Sequence, residues 1–336
     1  MAENRKTDHI DLSFKSQTNR DLVNHLFDYE PLFAAHPQAH ATIPTNFLGK
    51  NLNYPIWISS MTGGALKASV INKNLAKLCS DFKIGMGLGS TRSLLDSDAF
   101  FEDFNLRPII GQDLPFFINL GIAQLETLIE NNSVAKINQL IEKLNACGLV
   151  IHINPLQEWF QPEGDRYQHP PIETIKKIIA NRNFKVIVKE VGQGMGPKSL
   201  NALIDMEIDA IETASFGGTN FSVLEGLRRA DLPMDSSMYA LQKVGHTPSE
   251  MIDFLNNIYL HNSKAQKVSV IISGGLQNVV EGQYYRDLLK MNSLMGFGMR
   301  FLKHAEDYTE LKTFMQKEVD TLLMANAFLV AKKDER

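Results

Sequence analysis

Eight short apolar runs, most of them closing on glycine or a small polar residue, constrain this chain of 336 residues more than any other feature. They span residues 56–60, 84–88, 116–120, 149–153, 186–190, 210–213, 268–272 and 294–297. Runs this short and this apolar suit strands buried on both faces, the situation of a parallel sheet. Between most of them apolar residues return at helical spacing: Leu75, Leu78 and Phe82; Ile137, Leu140, Ile141 and Leu144; Ile172, Ile175, Ile178 and Ile179. The alternation predicts an α/β fold, a (β/α)8 TIM barrel. An open doubly wound sheet is the alternative, because a strand count does not establish closure.

With 44% of residues hydrophobic, there is ample material for a single large core. Residues 1–50, irregular and holding Pro31, Pro37 and Pro44, are expected to form an N-terminal extension over the barrel, with a short helical pattern near 21–27. Residues 51–336 form the barrel in this reading. It ends in a helix over 307–330 whose apolar face carries Leu311, Phe314, Met315, Val319, Leu322 and Leu323. A net charge of -4 argues against general nucleic-acid or anionic-membrane binding. The polar start, with no apolar signal core and no run of membrane-spanning length, leads to a cytoplasmic expectation. Cys79 and Cys147 lack metal-ligand spacing and read as buried, inert thiols.

In a parallel barrel, chemistry gathers where the strands end. The predicted ends deliver Met61-Thr62-Gly63-Gly64, Ser90-Thr91-Arg92, Asn119, Lys189, Ser215 with Gly217-Gly218-Thr219, Gly274-Gly275, and Gly296 with Gly298. The fourth run opens into His152-Ile153-Asn154-Pro155-Leu156-Gln157-Glu158, a density of polar groups that a strand interior tolerates poorly. The late glycines allow close backbone approach to a phosphate, and phosphate sites after the seventh and eighth strands recur in this fold. A phosphate anchor there, hydroxyls and amides from the early strands, and Lys189 together suit flavin mononucleotide (FMN).

Taken in chain order, Arg5-Lys6-Thr7-Asp8-His9, Met61-Thr62-Gly63-Gly64, Gly89-Ser90-Thr91-Arg92, the 152–158 segment with Pro162-Glu163-Gly164-Asp165, and Gly217-Gly218-Thr219-Asn220 resemble the type 2 isopentenyl-diphosphate isomerases, FMN-dependent barrels. The resemblance implies that Arg5, Lys6, Ser90, Thr91 and Arg92 bind the substrate diphosphate, with Asn154 and Gln157 also at the substrate. It implies that Glu158 holds Mg2+ and that Gln157 reaches the reacting carbons. The implied FMN ligands are Met61, Thr62, Gly63, Ser90, Asn119, Lys189, Thr219, Gly274, Gly275, Gly298 and Met299; for an absent serine either Thr213 or Ser215 substitutes, or that hydrogen bond is missing. Two departures stand out: Ala214 replaces that serine, and Gln277 replaces an arginine, which leaves the phosphate end of the site unassigned.

The implied reaction moves the double bond of isopentenyl diphosphate to give dimethylallyl diphosphate by protonation and deprotonation over reduced FMN. NADPH or NADH serves as reductant, and there is no net redox. His152, which shares a strand face with Asn154, is not assigned as general base. The resemblance further implies a homo-oligomer, a tetramer or octamer. Two other readings remain: an FMN-dependent 2-hydroxy-acid oxidase or dehydrogenase, and a non-catalytic barrel that binds a phosphate-bearing ligand. The late strand ends carry no histidine, which disfavours the oxidase.

Overall fold

The computed structural model describes residues 2–60, 66–180, 182–229 and 237–333. Its strands β1 (Ile56–Ile58), β2 (Gly85–Gly87), β3 (Phe116–Gly121), β4 (Gly148–His152), β5 (Lys185–Lys189), β6 (Ala210–Glu212), β7 (Ser269–Ser273) and β8 (Ser293–Phe297) pair in sequence order as a closed barrel. Every pairing is parallel, and β8 returns to β1 in the register Met295↔Ile56, Gly296↔Trp57, Phe297↔Ile58. Closure removes the open-sheet alternative. All eight apolar runs are strands, with ends shifted by a residue or two.

Both faces of these strands are covered, which is why they read as unbroken apolar runs. β3, β7 and β8 are buried at every position. On the outer side they meet amphipathic helices: Leu75, Leu78 and Phe82 of Leu66–Phe82, Ile137, Leu140, Ile141 and Leu144 of Ala135–Leu144, and Ile175 and Ile178 of Pro171–Ile179 are all buried.

Inside the barrel one side chain explains a neighbouring sequence. Trp57, fully buried, has its ring centroid 5.5 Å from that of Phe47 and 6.0 Å from that of Phe117. A Cβ on Gly85 would lie 2.6 Å from the indole and 2.5 Å from Pro115. The Gly-Met-Gly of β2 therefore leaves room for an indole contributed by β1.

The N-terminal extension departs from the sequence expectation. Instead of a helix near 21–27 there is a 3-10 turn, Arg20–Leu22, followed by a strand, Phe27–Tyr29. That strand pairs antiparallel with Leu329–Ala331, just beyond the C-terminal helix Tyr308–Phe328. The long-range pairing satisfies backbone groups and buries Phe27 edge-on against Tyr284 at 5.5 Å, a gain invisible to local periodicity. The helix of this region is Ala2–Ser13. Its residues from Arg5 onward are exposed. The C-terminal helix buries Leu311, Met315, Val319 and Leu322 as its pattern predicts. Cys79 lies in the core, where burial pushes its thiol up and leaves it unreactive.

Trp57→Ala is expected to lower the unfolding free energy by about 3–5 kcal/mol, measured by denaturant titration; a loss within the range of surface substitutions would show that the indole does not hold the barrel interior.

Candidate active site

Because all eight strands are parallel, their C-terminal ends collect at one mouth. The register places His152 beside Lys189 and Lys189 beside Glu212, on β4, β5 and β6 in turn. A cleft opens there, and Ser59, Ser60, Lys189 and Glu212 are among its walls.

Three of those walls carry an unusual deficit. The hydroxyls of Ser59 and Ser60 and both carboxylate oxygens of Glu212 are buried with no hydrogen-bond partner. Glu212 is only 1% exposed, so its desolvation is uncompensated within the protein. Side chains so arranged around one cleft suit a ligand rich in hydroxyl and N–H groups. Lys189 is also buried, and its ammonium donates to the Glu190 carbonyl at 2.9 Å. The Glu190 carboxylate accepts from the backbone N–H groups of Gly192, Gln193 and Gly194, which fixes the loop after β5. Burial nevertheless holds its carboxyl above the usual range.

The walls of the cleft also include Thr219, Gly274, Gly275, Gly298, Met299 and Arg300. Here two glycine pairs interlock. Gly274 has φ +74, and a Cβ on it would lie 2.3 Å from the Ser215 carbonyl oxygen; one on Gly218 would lie 3.1 Å from the Gly275 nitrogen. Backbone therefore packs on backbone between the loops after β6 and β7. Arg300, from the end of β8, donates to the Gln277 carbonyl and pairs with Glu318 at 2.9 Å. A guanidinium thus reaches the loop that holds Gln277.

Beyond β4 the chain turns directly into a short helix, Pro155–Phe160, with Asn154 as its N-cap and Pro155 in its first turn. Adjacency of Gln157 and Glu158 in an extended segment would send them apart; a helical turn instead puts both on the Asn154 side. The Asn154 amide nitrogen donates to Gln157 Oε1 at 3.1 Å and to Glu158 Oε1 at 2.9 Å. Tyr167 Oη donates to Asn154 Oδ1 at 2.8 Å and accepts from the Asn154 N–H at 3.1 Å. Glu158 Oε2 accepts the Asp165 N–H at 2.7 Å, and the Asp165 carboxylate binds Arg92 at 3.1 Å and Gln124 at 3.0 Å. One hydrogen-bonded chain therefore joins Arg92, Asp165, Glu158, Asn154 and Gln157. Burial pushes the Tyr167 phenol well up, the Asn154 hydrogen bond opposes this, and the charges of Glu158, Glu190 and Asp165 add to the rise. The hydroxyl stays protonated.

The remaining sequence candidates are placed as follows. Thr91 is fully buried, and its N–H and hydroxyl both donate to the Asn119 carbonyl, at 2.8 and 2.9 Å. Ser90 is exposed beside it. Asn119 faces Leu88 and His152, and the Ser215 hydroxyl is buried against the Met251 sulfur at 3.3 Å. Arg5 and Lys6 lie on the exposed helix Ala2–Ser13. Met61, Thr62 and Gly63 fall outside the described residues. Sequence reasoning passed over Ser59, Ser60, Glu212, Tyr167 and Arg300. Only Tyr167 had a nearby signal, lying two residues past the Pro162-Glu163-Gly164-Asp165 run.

His152 resolves its own tautomer. The Asn119 amide nitrogen donates to the Leu88 carbonyl at 3.1 Å, so Asn119 Oδ1 faces His152 Nδ1 at 2.7 Å, and Nδ1 carries the proton. Burial, followed by the positive charge of Lys189, pushes the imidazole down to about 3.

The barrel, with its polar cleft where the strands end, defines a (β/α)8 protein of the kind that places enzymatic chemistry at this face. No family model matches the chain. It is 32% identical over 281 residues to the isopentenyl-diphosphate delta-isomerase of Rickettsia typhi, covering 83% of this chain and 79% of that protein. Identity to the enzyme of the same name from Rickettsia prowazekii is 31% over 306 residues, or 90% and 86% of the two chains. The chain belongs to the isopentenyl-diphosphate delta-isomerase family. Its fold is shared with the flavin-binding domain of baker's yeast flavocytochrome b2 (TM-score 0.60, 13% identity, 89% of this chain and 71% of that one). A Pediococcus acidilactici lactate oxidase is similarly related in fold (TM-score 0.58, 16% identity, 92% and 84%).

The folded protein holds His152 neutral, whereas the unfolded chain takes up a proton below the ordinary 6.5. Acid therefore favours the unfolded state, and this contribution to stability, complete above pH 6.5, is lost as pH falls from 6.5 toward about 3. The His152 ring resonances should show no titration between pH 8 and pH 5 by NMR; a midpoint near 6.5 would contradict the buried neutral ring.

Proposed function

We propose that the chain interconverts isopentenyl diphosphate and dimethylallyl diphosphate over reduced FMN, with Mg2+ and without net redox. The observation that carries this reading is the hydrogen-bonded chain from Arg92 through Glu158 to Gln157, lying at the same barrel mouth as a cleft walled by unpartnered polar atoms. The first part has the chemistry for a metal-bound diphosphate and the second for a hydroxyl-rich cofactor.

The residues present fit FMN. Ser59, Ser60 and Glu212 offer partners to ribityl hydroxyls and ring N–H groups, and Lys189 supplies a cation for an anionic reduced ring. The glycine loops after β6 and β7, with Thr219, Gly298 and Met299, form the phosphate end, where Arg300 supplies the guanidinium. Reduced FMN held by these residues would supply an electron-rich surface for developing positive charge and a group able to give and take a proton, with NADPH or NADH as the source of reducing equivalents.

The chain's own groups do the rest. Glu158 retains lone pairs beside those used by Asn154 and Asp165, and one carboxylate with phosphate oxygens and waters is an ordinary Mg2+ site. Arg92 binds the diphosphate, joined by Ser90 and by Arg5 and Lys6 from the extension. Thr91, with both donors on the Asn119 carbonyl, supports that loop. Gln157, its carbonyl held by Asn154, offers its NH2 as a donor to the substrate. His152, neutral, holds Asn119 and takes no proton from the substrate. A cytoplasmic homo-oligomer is part of the same reading.

The fold likeness to lactate oxidase and flavocytochrome b2 keeps one other reading in view, an FMN-dependent 2-hydroxy-acid oxidase. Among the described residues, however, the cleft contains no histidine to accept a hydroxy-acid proton. The purified protein should be yellow, bleach on reduction, and isomerise substrate with Mg2+ without consuming reductant stoichiometrically. Colourless protein that cannot be reconstituted with FMN sinks both flavin readings; one reductant or oxidant used per product sinks the isomerase alone.

Arg300→Met should weaken FMN binding about 10–100-fold while leaving riboflavin affinity nearly unchanged, read by flavin fluorescence titration. Equal losses for both ligands would remove Arg300 from the phosphate end.

A further inference from the structure

We propose that Tyr167 is a positioning residue that fixes the orientation of the Asn154 amide and, through it, the working geometry of Gln157 and Glu158. The functional half of this proposal rests on the isomerase reading; the geometric half stands on hydrogen bonds alone.

An asparagine amide has two orientations that differ by half a turn, and its surroundings choose between them. Here the choice is fixed from two sides, by Tyr167 outside the helix Pro155–Phe160 and by the acceptor-only Glu158 carboxylate within it. The Tyr167 hydroxyl accepts the Asn154 backbone N–H at 3.1 Å, which directs its own proton toward Asn154 Oδ1 at 2.8 Å. With Oδ1 held on the tyrosine side, Nδ2 must face the helix, and its two hydrogens reach Gln157 Oε1 and Glu158 Oε1. The turned-over amide would set Oδ1 against Glu158 Oε1, two acceptors with no hydrogen between them, and would require the Gln157 amide to turn over as well. Asn154 is only 3% exposed, so water is poorly placed to repair such a contact.

Tyr167 can impose this choice because its own segment is pinned on both sides. Two residues before it, the Asp165 carboxylate binds Arg92 and Gln124. Just after it, the Glu126 carboxylate accepts the N–H groups of Gln168 and His169 and the His169 ring, at 3.1, 2.7 and 2.7 Å. Glu126 sits on the helix Ile122–Glu130 that follows β3, so the phenol is referenced to the barrel and not to the short helix it controls. Tyr167 touches Asn154 and no part of the substrate in this assignment. Its effect passes through Asn154.

The test is a double-mutant cycle between Tyr167→Phe and Asn154→Ala on the FMN-loaded enzyme, following kcat, KM, the half-saturating Mg2+ concentration and FMN affinity. Tyr167→Phe should lower kcat about tenfold and raise the Mg2+ requirement, with FMN affinity and visible spectrum unchanged. The double variant should be no slower than Asn154→Ala alone, because the tyrosine acts only through that amide. Additive losses, or unchanged kcat and Mg2+ requirement, overturn the proposal, as does a parallel loss of FMN affinity, which marks a general structural role. If the wild-type protein proves not to isomerise its substrate, the reading of function fails separately. Binding of Mn2+ with inorganic pyrophosphate, followed by electron paramagnetic resonance, then decides the geometric half: weaker binding in Tyr167→Phe supports it and equal binding overturns it.

Discussion

The register of three neighbouring strands sets the electrostatics of the whole mouth. Because β4, β5 and β6 are parallel and unslipped, His152, Lys189 and Glu212 stand in one row at their ends. Lys189 occupies the middle. Its charge, after burial, is the second cause that keeps His152 neutral. Glu212 lies on the other side, and its carboxylate has no hydrogen-bond partner. A one-residue slip of β5 would turn Lys189 out of the mouth and remove all three relationships together.

The two halves of the site are joined by backbone and amide contacts, not by charge. Thr91 fastens the loop after β2 to the Asn119 carbonyl, and Asn119 in turn holds His152 on β4. Immediately beyond His152 the chain reaches Asn154 and the polar helix. Each link is a neutral hydrogen bond in a desolvated place, so it holds geometry without adding charge to the mouth. The charged members, Arg92, Asp165 and Glu158, stand farther out, where water shares the cost of their desolvation.

The barrel was legible in the sequence because strands buried on both faces run apolar from end to end, and their terminal glycines and polar residues mark the mouth. The Phe27–Tyr29 strand was not legible, since its pairing partner lies some three hundred residues away at Leu329–Ala331. In the site, Gln157 and Glu158 announced themselves as polar residues following an apolar run. Their helical conformation did not, although Pro155 suits a first turn as well as a loop. Glu212 and Ser59 looked like ordinary strand-end residues. That their polar atoms lack partners is a property of the assembled interior, and no local pattern carries it.

Arg300 shows why the proposed phosphate end was hardest to read. The family resemblance implies an arginine in the loop after β7, at the place of Gln277. β7 and β8 are adjacent, paired from Val270↔Ser293 to Ser273↔Gly296, so the loops that follow them share one patch of space. A guanidinium rooted after β8 can therefore reach that loop, and Arg300 does, meeting the Gln277 carbonyl. What such a ligand needs is a cation at a point in space. A barrel with neighbouring loops can meet that need from either strand, and position in the chain is then a poor guide to position in the site.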